Sequence, residues 1–240
     1  MFGRKPALEV LMDPSLEIHC LHLANSNRSG GIITQIVTEA ERRGVEIRLH
    51  NRQALSRISK NGRQDQGVAL DVICPSFLAL DALLASSKLP RSLLALDGIT
   101  NPQNVGMIIR SAVAAGIDGV LYPKRGTASL GPLVIKASAG TIFRAPIISC
   151  DTALSALSSL KASGFRIAIL DARATGSIYD LDGSAPTICV LGGESLGISS
   201  EVRRLADVAL SIPMANGVES LNVAVTGALV AFQMVRPVPP

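Results

Sequence analysis

The chain has 240 residues, of which 48% are hydrophobic and 18% charged, and a formal net charge of +4. Its length and apolar content suffice for one large domain, or a small one joined to a larger one, and exclude wholesale disorder. With no Trp and two Tyr, it has no platform of interleaved aromatics for stacking RNA bases, so any nucleic-acid contact must rest on charge, shape and backbone.

In chain order, the pattern predicts a short helix over 5–12, ended by Asp13-Pro14, and a strand over 17–23. Ser29 is placed to cap a helix whose Ile32, Ile33, Ile36, Val37 and Ala40 share one face, with Gly44 closing it. Residues 45–50 alternate as a strand, and a helix over 53–59 and a strand over 68–73 complete a small α/β unit. Between Arg42 and Arg63 stand seven basic residues, Arg42, Arg43, Arg48, Arg52, Arg57, Lys60 and Arg63, against one acid, Glu46. That run reads either as a solvated surface or as an RNA-binding, phosphate-contacting face.

The division expected is 1–75 for this unit, 76–90 for a linker bounded by prolines, and 91–240 for a larger domain. Within the larger part, strands over 93–96, 119–122, 141–147, 166–170, 187–191 and 208–212 alternate with helices over 105–115, 130–137, 153–161, 199–205 and 222–232. Such alternation predicts a mainly parallel sheet with helices on both faces. Cys20, Cys74, Cys150 and Cys189 are widely spaced in apolar runs and read as reduced core residues. His19 and His22 flank Cys20 without a fourth ligand nearby, so no metal is expected. No apolar leader and no run of 18 apolar residues is present, which predicts a cytoplasmic protein without a membrane partner.

Three stretches of the larger part carry chemistry. In 96–112, Thr100 or Asn101 can cap a helix, Pro102 fits its first turn, and Gly106 and Arg110 share a face, the glycine leaving room beside the arginine. Arg110 stands among Ile108, Ile109 and Ala112, as a side chain snorkelling to water or as a guanidinium held at a site. The other two stretches are loops that follow buried strands. The first holds Gly192, Gly193, Glu194 and Gly197, and the second runs from Pro213 into a helix that Ser220 could cap. Gly-rich loops of this kind expose main-chain groups to a ligand. No Gly-x-Gly-x-x-Gly opens the first strand-to-helix turn, which speaks against a dinucleotide-dependent oxidoreductase.

Taken together, Asn101-Pro-Gln-Asn-Val-Gly-Met-Ile-Ile-Arg110, Leu191-Gly-Gly-Glu-Ser-Leu-Gly197 and Ile212-Pro-Met-Ala-Asn-Gly-Val-Glu-Ser-Leu-Asn-Val223 resemble the three ordered motifs of the SpoU/TrmH family. These are RNA ribose 2′-O-methyltransferases of the SPOUT superfamily. The resemblance covers roughly 91–236, and Lys136–Gly140 also fits it; residues 1–75 look like the ribosomal-protein-like RNA-binding domain that precedes the catalytic domain in many members. It implies an α/β SPOUT domain with a parallel sheet and a C-terminal trefoil knot, S-adenosylmethionine as cofactor, and a homodimer. Its implied polar site is Asn104, Arg110, Glu194, Ser220 and Asn222. Its implied cofactor cleft is built from Leu191, Gly192, Gly193, Ile212, Met214, Asn216, Gly217 and Leu221. Asp65-Gln66-Gly67 departs from the His-Gln-Gly that many relatives carry, and Ala224 replaces the Ser that often follows Asn-Val. The leading expectation is 2′-O-methylation of ribosomal RNA, ahead of the same reaction on transfer RNA and of a non-catalytic RNA-binding or assembly factor.

Overall fold

The computed structural model describes residues 1–74, 76–181, 185–194 and 196–236; Pro75, the expected domain boundary, and Ser195 of the second motif lie outside them. The N-terminal unit is built from α1 (Arg4–Met12), β1 (Glu17–Ala24), α2 (Gly31–Arg42), β2 (Glu46–His50), α3 (Arg52–Ser59) and β3 (Val68–Ile73). Its sheet has the order β2-β1-β3, parallel on one side of β1 and antiparallel on the other. Leu21 and Leu23 bury one face of β1 against Ala7, Val10, Leu11, Ile33 and Ile36 of α1 and α2. Gly30, not Ser29, stands at the start of α2, and no side chain caps it. The apolar stripe of α2 is enough to hold the helix, because packing outweighs one capping bond.

The larger unit follows with β4 (Leu78–Ala79), α4 (Leu80–Leu84), β5 (Ser92–Asp97), α5 (Pro102–Ala115), β6 (Gly119–Pro123), α6 (Pro132–Ala137), β7 (Ile147–Cys150), α7 (Ala153–Ala162), β8 (Arg166–Leu170), β9 (Gly176–Ser177), β10 (Thr187–Gly192), α8 (Ser200–Leu205), β11 (Val208–Ser211) and α9 (Val223–Met234). Its eight strands run in the order β4-β7-β6-β5-β10-β8-β11-β9, and every pairing is parallel. Leu78–Ala79 pairs with β7, so part of the 76–90 stretch is the sheet's edge strand and not a free tether.

The strand expected over 141–147 starts later: Thr141–Arg144 is a 3-10 turn and pairing begins at Ile147. Apolar residues at 142, 143, 145 and 147 suit either shape. The backbone turns first because Gly140 takes a left-handed conformation (φ 76) and its N–H bonds the carbonyl of Ile135. Along β5 and β10 the side chains alternate between two cores. Leu94, Leu96, Cys189 and Leu191 pack with α5 and α9, while Leu93, Ala95, Ile188 and Val190 pack with α7 and α8. A sheet covered on both faces leaves its ligand-accessible backbone at the strand ends. All four cysteines are free, and burial pushes the Cys150 thiol up to about 11 and the Cys189 thiol to about 12.

Candidate functional site

Three connections meet at the carboxyl ends of the sheet, those that follow β5, β10 and β11. Helix α5 begins where predicted: the Asn101 side chain accepts the Gln103 N–H at 2.9 Å, Pro102 occupies the first turn, and Gly116 ends the helix in a left-handed conformation. Its buried stripe of Val105, Ile108, Ile109 and Ala112 also contains Asn104, 3% exposed. The space beside Gly106 is taken by α6 and not by Arg110, since a Cβ there would lie 2.6 Å from both Ala137 Cβ and the Val134 carbonyl oxygen. Arg110 projects from the exposed side of the helix with no ion pair or hydrogen bond among the described residues.

The loop after β10 closes on itself. Gly193 N–H donates to Gly197 O at 3.1 Å and Gly197 N–H donates to Gly193 O at 2.8 Å, which leaves Glu194 and Leu196 exposed at the tip. It also lies directly on the β5 connection, since a Cβ on Gly193 would meet Gly98 O at 2.3 Å. One carboxylate clasps the two connections, as Asp97 Oδ2 accepts the Ser199 N–H at 2.8 Å. Neither Asp97 nor Gly98 was expected at the site from sequence. The available signal was an Asp-Gly pair at the end of a buried strand.

The loop after β11 is of another kind. From Ile212 to Leu221 its one main-chain bond among the described residues is Val218 N–H to Ala215 O, which spans a turn with Asn216 and Gly217 both at positive φ, the pattern of a type I′ turn. Among the described residues, no other main-chain hydrogen bond joins this loop to a strand or a helix. The last helix is capped by Asn222 and not by Ser220: Asn222 Oδ1 accepts the Ala224 N–H at 2.8 Å. The amide reaches Ala224 from the residue just before the helix, whereas Ser220 lies two residues too far back.

The structure brings Asn104 and Asn222 together, with Asn222 Nδ2 donating to Asn104 Oδ1 at a long 3.3 Å. It joins Arg110, Glu194 and Ser220 to no described residue by hydrogen bond or ion pair. Leu191, Gly192, Ile212 and Met214 are buried or half-buried, and Gly217 and Leu221 are exposed. No group of three His, Cys, Asp or Glu side chains among the described residues could hold a metal ion.

The basic run of the N-terminal unit divides in two. Arg43 is structural: its guanidinium donates to the carbonyls of Val10, Leu11, Asp13 and Leu16, which satisfies the end of α1 and the turn after it. Arg42 pairs with Glu39 and Arg48 with Glu46, whereas Arg52, Arg57, Lys60 and Arg63 are exposed with no partner among the described residues. Asp65 is 2% exposed and accepts from the Gly67 N–H and the Ser59 hydroxyl, so this departure from His closes a loop. His22 is likewise held by hydrogen bonds, to Asp71 at 3.1 Å and His50 at 3.0 Å.

The chain thus has a parallel α/β domain with three loops gathered at its carboxyl edge, where such sheets offer ligand-accessible backbone, preceded by a small mixed-sheet domain with exposed cations. Sequence comparison states its family. The chain belongs to the SpoU rRNA Methylase family, whose pattern matches residues 91–232, and residues 1–77 match the RNA 2′-O ribose methyltransferase substrate-binding domain.

Proteins from Mycolicibacterium vanbaalenii and Mycobacterium ulcerans, each described as an uncharacterized tRNA/rRNA methyltransferase, are 36% identical over 239 and 238 residues, or 98% of this chain and 76% of theirs. The fold is shared with the SpoU methyltransferase AviRb from Streptomyces viridochromogenes, solved in complex with AdoMet (TM-score 0.68, 21% identity, 98% of this chain and 88% of that one). It is shared also with a TrmH-family protein described as a putative RNA methyltransferase from Porphyromonas gingivalis (TM-score 0.63, 25% identity, 98% and 88%).

Proposed function

We propose that this chain methylates a ribose 2′-hydroxyl of RNA with S-adenosylmethionine, and that ribosomal RNA is its first substrate. The observation that carries the reading is the Asn104–Asn222 contact, which joins the start of α5 to the start of α9 across the strand ends, one face of a helix from the unpaired Arg110. The AviRb complex supports the choice of cofactor. So does the open main chain of the loop after β11, whose unengaged donors and acceptors suit a ligand with adenine, ribose and amino-acid groups. Leu191, Gly192, Gly193, Ile212, Met214, Asn216, Gly217 and Leu221 would hold it. When bound, it supplies a methyl group already activated by a positively charged sulfur.

The protein's own task is then alignment and management of one proton. Arg110, whose guanidinium stays charged with a pKa above about 12, is a poor base. It instead holds the phosphate beside the reactive ribose and lowers the hydroxyl's pKa by its charge. Asn104 spends its carbonyl oxygen on Asn222 and keeps its N–H groups for ribose or phosphate oxygens. Glu194, exposed at its loop tip, orients Arg110 or the RNA strand, and Ser220 shapes the loop before α9.

Two structural expectations belong to the same reading. A trefoil knot, an exception to the usual rule against threading, is part of this reading, and the close passage of Gly193 over Gly98, with Gly227 against Leu191 and Ile108, is compatible with it. The exposed apolar stripe Val225, Leu229 and Phe232 on α9, with Met107 on α5, suits burial in a homodimer.

The test is transfer of labelled methyl to separately purified ribosomal and transfer RNA, with ribose mapping, by wild type and by Arg110→Ala and Arg110→Lys. Arg110→Ala is expected to lower transfer by about 100-fold, on the scale of losing one preorganised charge contact. A near-normal rate for Arg110→Lys would remove the bidentate phosphate clamp. Transfer RNA is a specific second reading, favoured by a solved structure concerned with 2′-OH methylation of C/U34 on tRNA, 28% identical over 59% of this chain with a TM-score of 0.51. Label found on transfer RNA alone would establish it.

A further inference from the structure

Between the N-terminal and the larger unit runs a cleft of about 810 Å³. Residues 58–61, 64 and 66, at the end of α3 and in the connection to β3, line one side, and the stretch 128–133 at the start of α6 lines the other. Thr100 and Pro102 belong to its lining as well. They flank Asn101, the cap of α5, so the cleft opens on the helix start that carries Asn104.

Its chemistry has two halves. Phe2, Ile58, Leu130 and Leu133 are apolar; Asn61 and Gln64 are amides. Asn61 Nδ2 donates to Gln64 Oε1 at 3.2 Å, which leaves Asn61 Oδ1 as an acceptor and the Gln64 N–H groups as donors. A linked donor and acceptor beside apolar walls is the complement of a nucleobase edge and face. Lys60, in the same lining, carries a charge with no partner among the described residues, and Arg57 and Arg63 stand unpaired on the same segment.

The segment is built, not slack. Lys60 (φ 54) and Gln66 (φ 53) both hold left-handed conformations, which a non-glycine residue keeps only where its surroundings fix it. Arg4 fixes the second of them, its Nε donating to Gln66 O at 3.0 Å and its main-chain N–H to Gln66 Oε1 at 3.1 Å. On the facing side the Tyr122 hydroxyl donates to Ala128 O at 3.1 Å, and the Ala128 N–H donates to Ile99 O at 3.0 Å. Both walls are therefore tied to the body of the protein before any RNA arrives.

A paired A-form helix keeps its base edges stacked inside and offers mostly shape and 2′-hydroxyls; an unpaired nucleotide can be splayed into a cleft and read by its edge. We propose that this cleft holds an unpaired nucleotide next to the one modified, its base against the Asn61–Gln64 amide pair and its phosphate on Lys60, so that the substrate is a loop or bulge of RNA and not a duplex. This rests on the RNA-methylation reading above and names its substrate class.

The test uses the full chain and two fluorescent RNA probes of equal length, one an unpaired loop closed by a short stem and one fully paired, with binding measured by anisotropy. Wild type is expected to prefer the loop by about tenfold or more, the scale of one good base-edge pair. The Asn61→Ala/Gln64→Ala double variant is expected to lose most of that preference at an unchanged thermal midpoint, because the turn at 61–65 uses the Asn61 main-chain carbonyl and not its side chain. Equal wild-type affinity for the two probes would overturn the proposal, as would a double variant that keeps the preference. Loop selectivity that depends on the two amides, in a wild type that methylates no RNA, would uphold the cleft and count against the reaction alone.

Discussion

The two sheets of this protein solve opposite problems. In the larger one, β5, β6 and β10 are buried on both faces, so nothing in their middle is free to act, and function is confined to loops at their ends. In the N-terminal sheet, β2 has no fully buried residue, and the connections around it carry charges into solvent. One region concentrates its chemistry at a point, and the other spreads recognition over a surface. Single substitutions should therefore act sharply in the first and by increments in the second.

The sharpest break is expected at Gly193. An added Cβ would lie 2.3 Å from the Gly98 carbonyl oxygen, a main-chain atom that cannot move aside, so Gly193→Ala should cost about 3 kcal/mol of stability and abolish S-adenosylmethionine binding, as read by urea denaturation and calorimetry. Arg43→Ala comes next. It strips donors from four carbonyls at once and should cost about 2 kcal/mol, although Arg43 lies within the basic run.

By contrast, Arg57→Ala/Arg63→Ala should leave the denaturation midpoint unchanged and lower the slope of log affinity against log salt by about 1.4, at about 0.7 per phosphate contact to a single strand. An unchanged slope would remove these two side chains from the RNA face. If Arg43→Ala weakened RNA binding without loss of stability, the division of the run into structural and RNA-facing cations would fail.

The smallest effect is electrostatic and belongs to the ion pairs that α7 and α8 make with the ends of the larger sheet's strands. The Asp207 carboxylate accepts the Ile167 N–H and pairs with Lys161, and Asp171 accepts the Arg173 N–H and pairs with Arg203. These hydrogen bonds hold both carboxyls below the ordinary value of 3.8. The folded state thus binds fewer protons than the unfolded one around that value. The stabilisation is complete above 3.8 and is lost as pH falls through the depressed pKa values. The contribution of these two carboxylates should be flat above about pH 5 and decline below about pH 4, so the urea midpoint should fall more steeply there in wild type than in Asp207→Asn.

Much of this was legible from local pattern. The buried strands, the Asn101-Pro102 start of α5 and the three ordered motifs are short-range signals, and the structure puts them in one place. Less legible were contacts that join residues far apart in the chain. Arg43 looked like its basic neighbours because charge is visible in a sequence, whereas the four carbonyls it serves, 27 to 33 residues away, are not. The cap of α9 was placed at Ser220 because serine caps helices readily, but the helix starts at Val223 and the residue immediately before it, Asn222, has the reach. The Gly106 space was read against Arg110, its neighbour four residues on, and went to α6, some 30 residues on.

The sequence by itself determined which segments are apolar enough to be buried, where helices can start, and which family the motifs resemble, because these depend on residues within a turn or two of one another. Only the tertiary structure decided which cations remain free, which loop is closed and which open, and that a cleft joins the N-terminal unit to the start of α5. Those outcomes depend on which distant main-chain groups come within about 3 Å of a side chain, and only the packed chain fixes that distance.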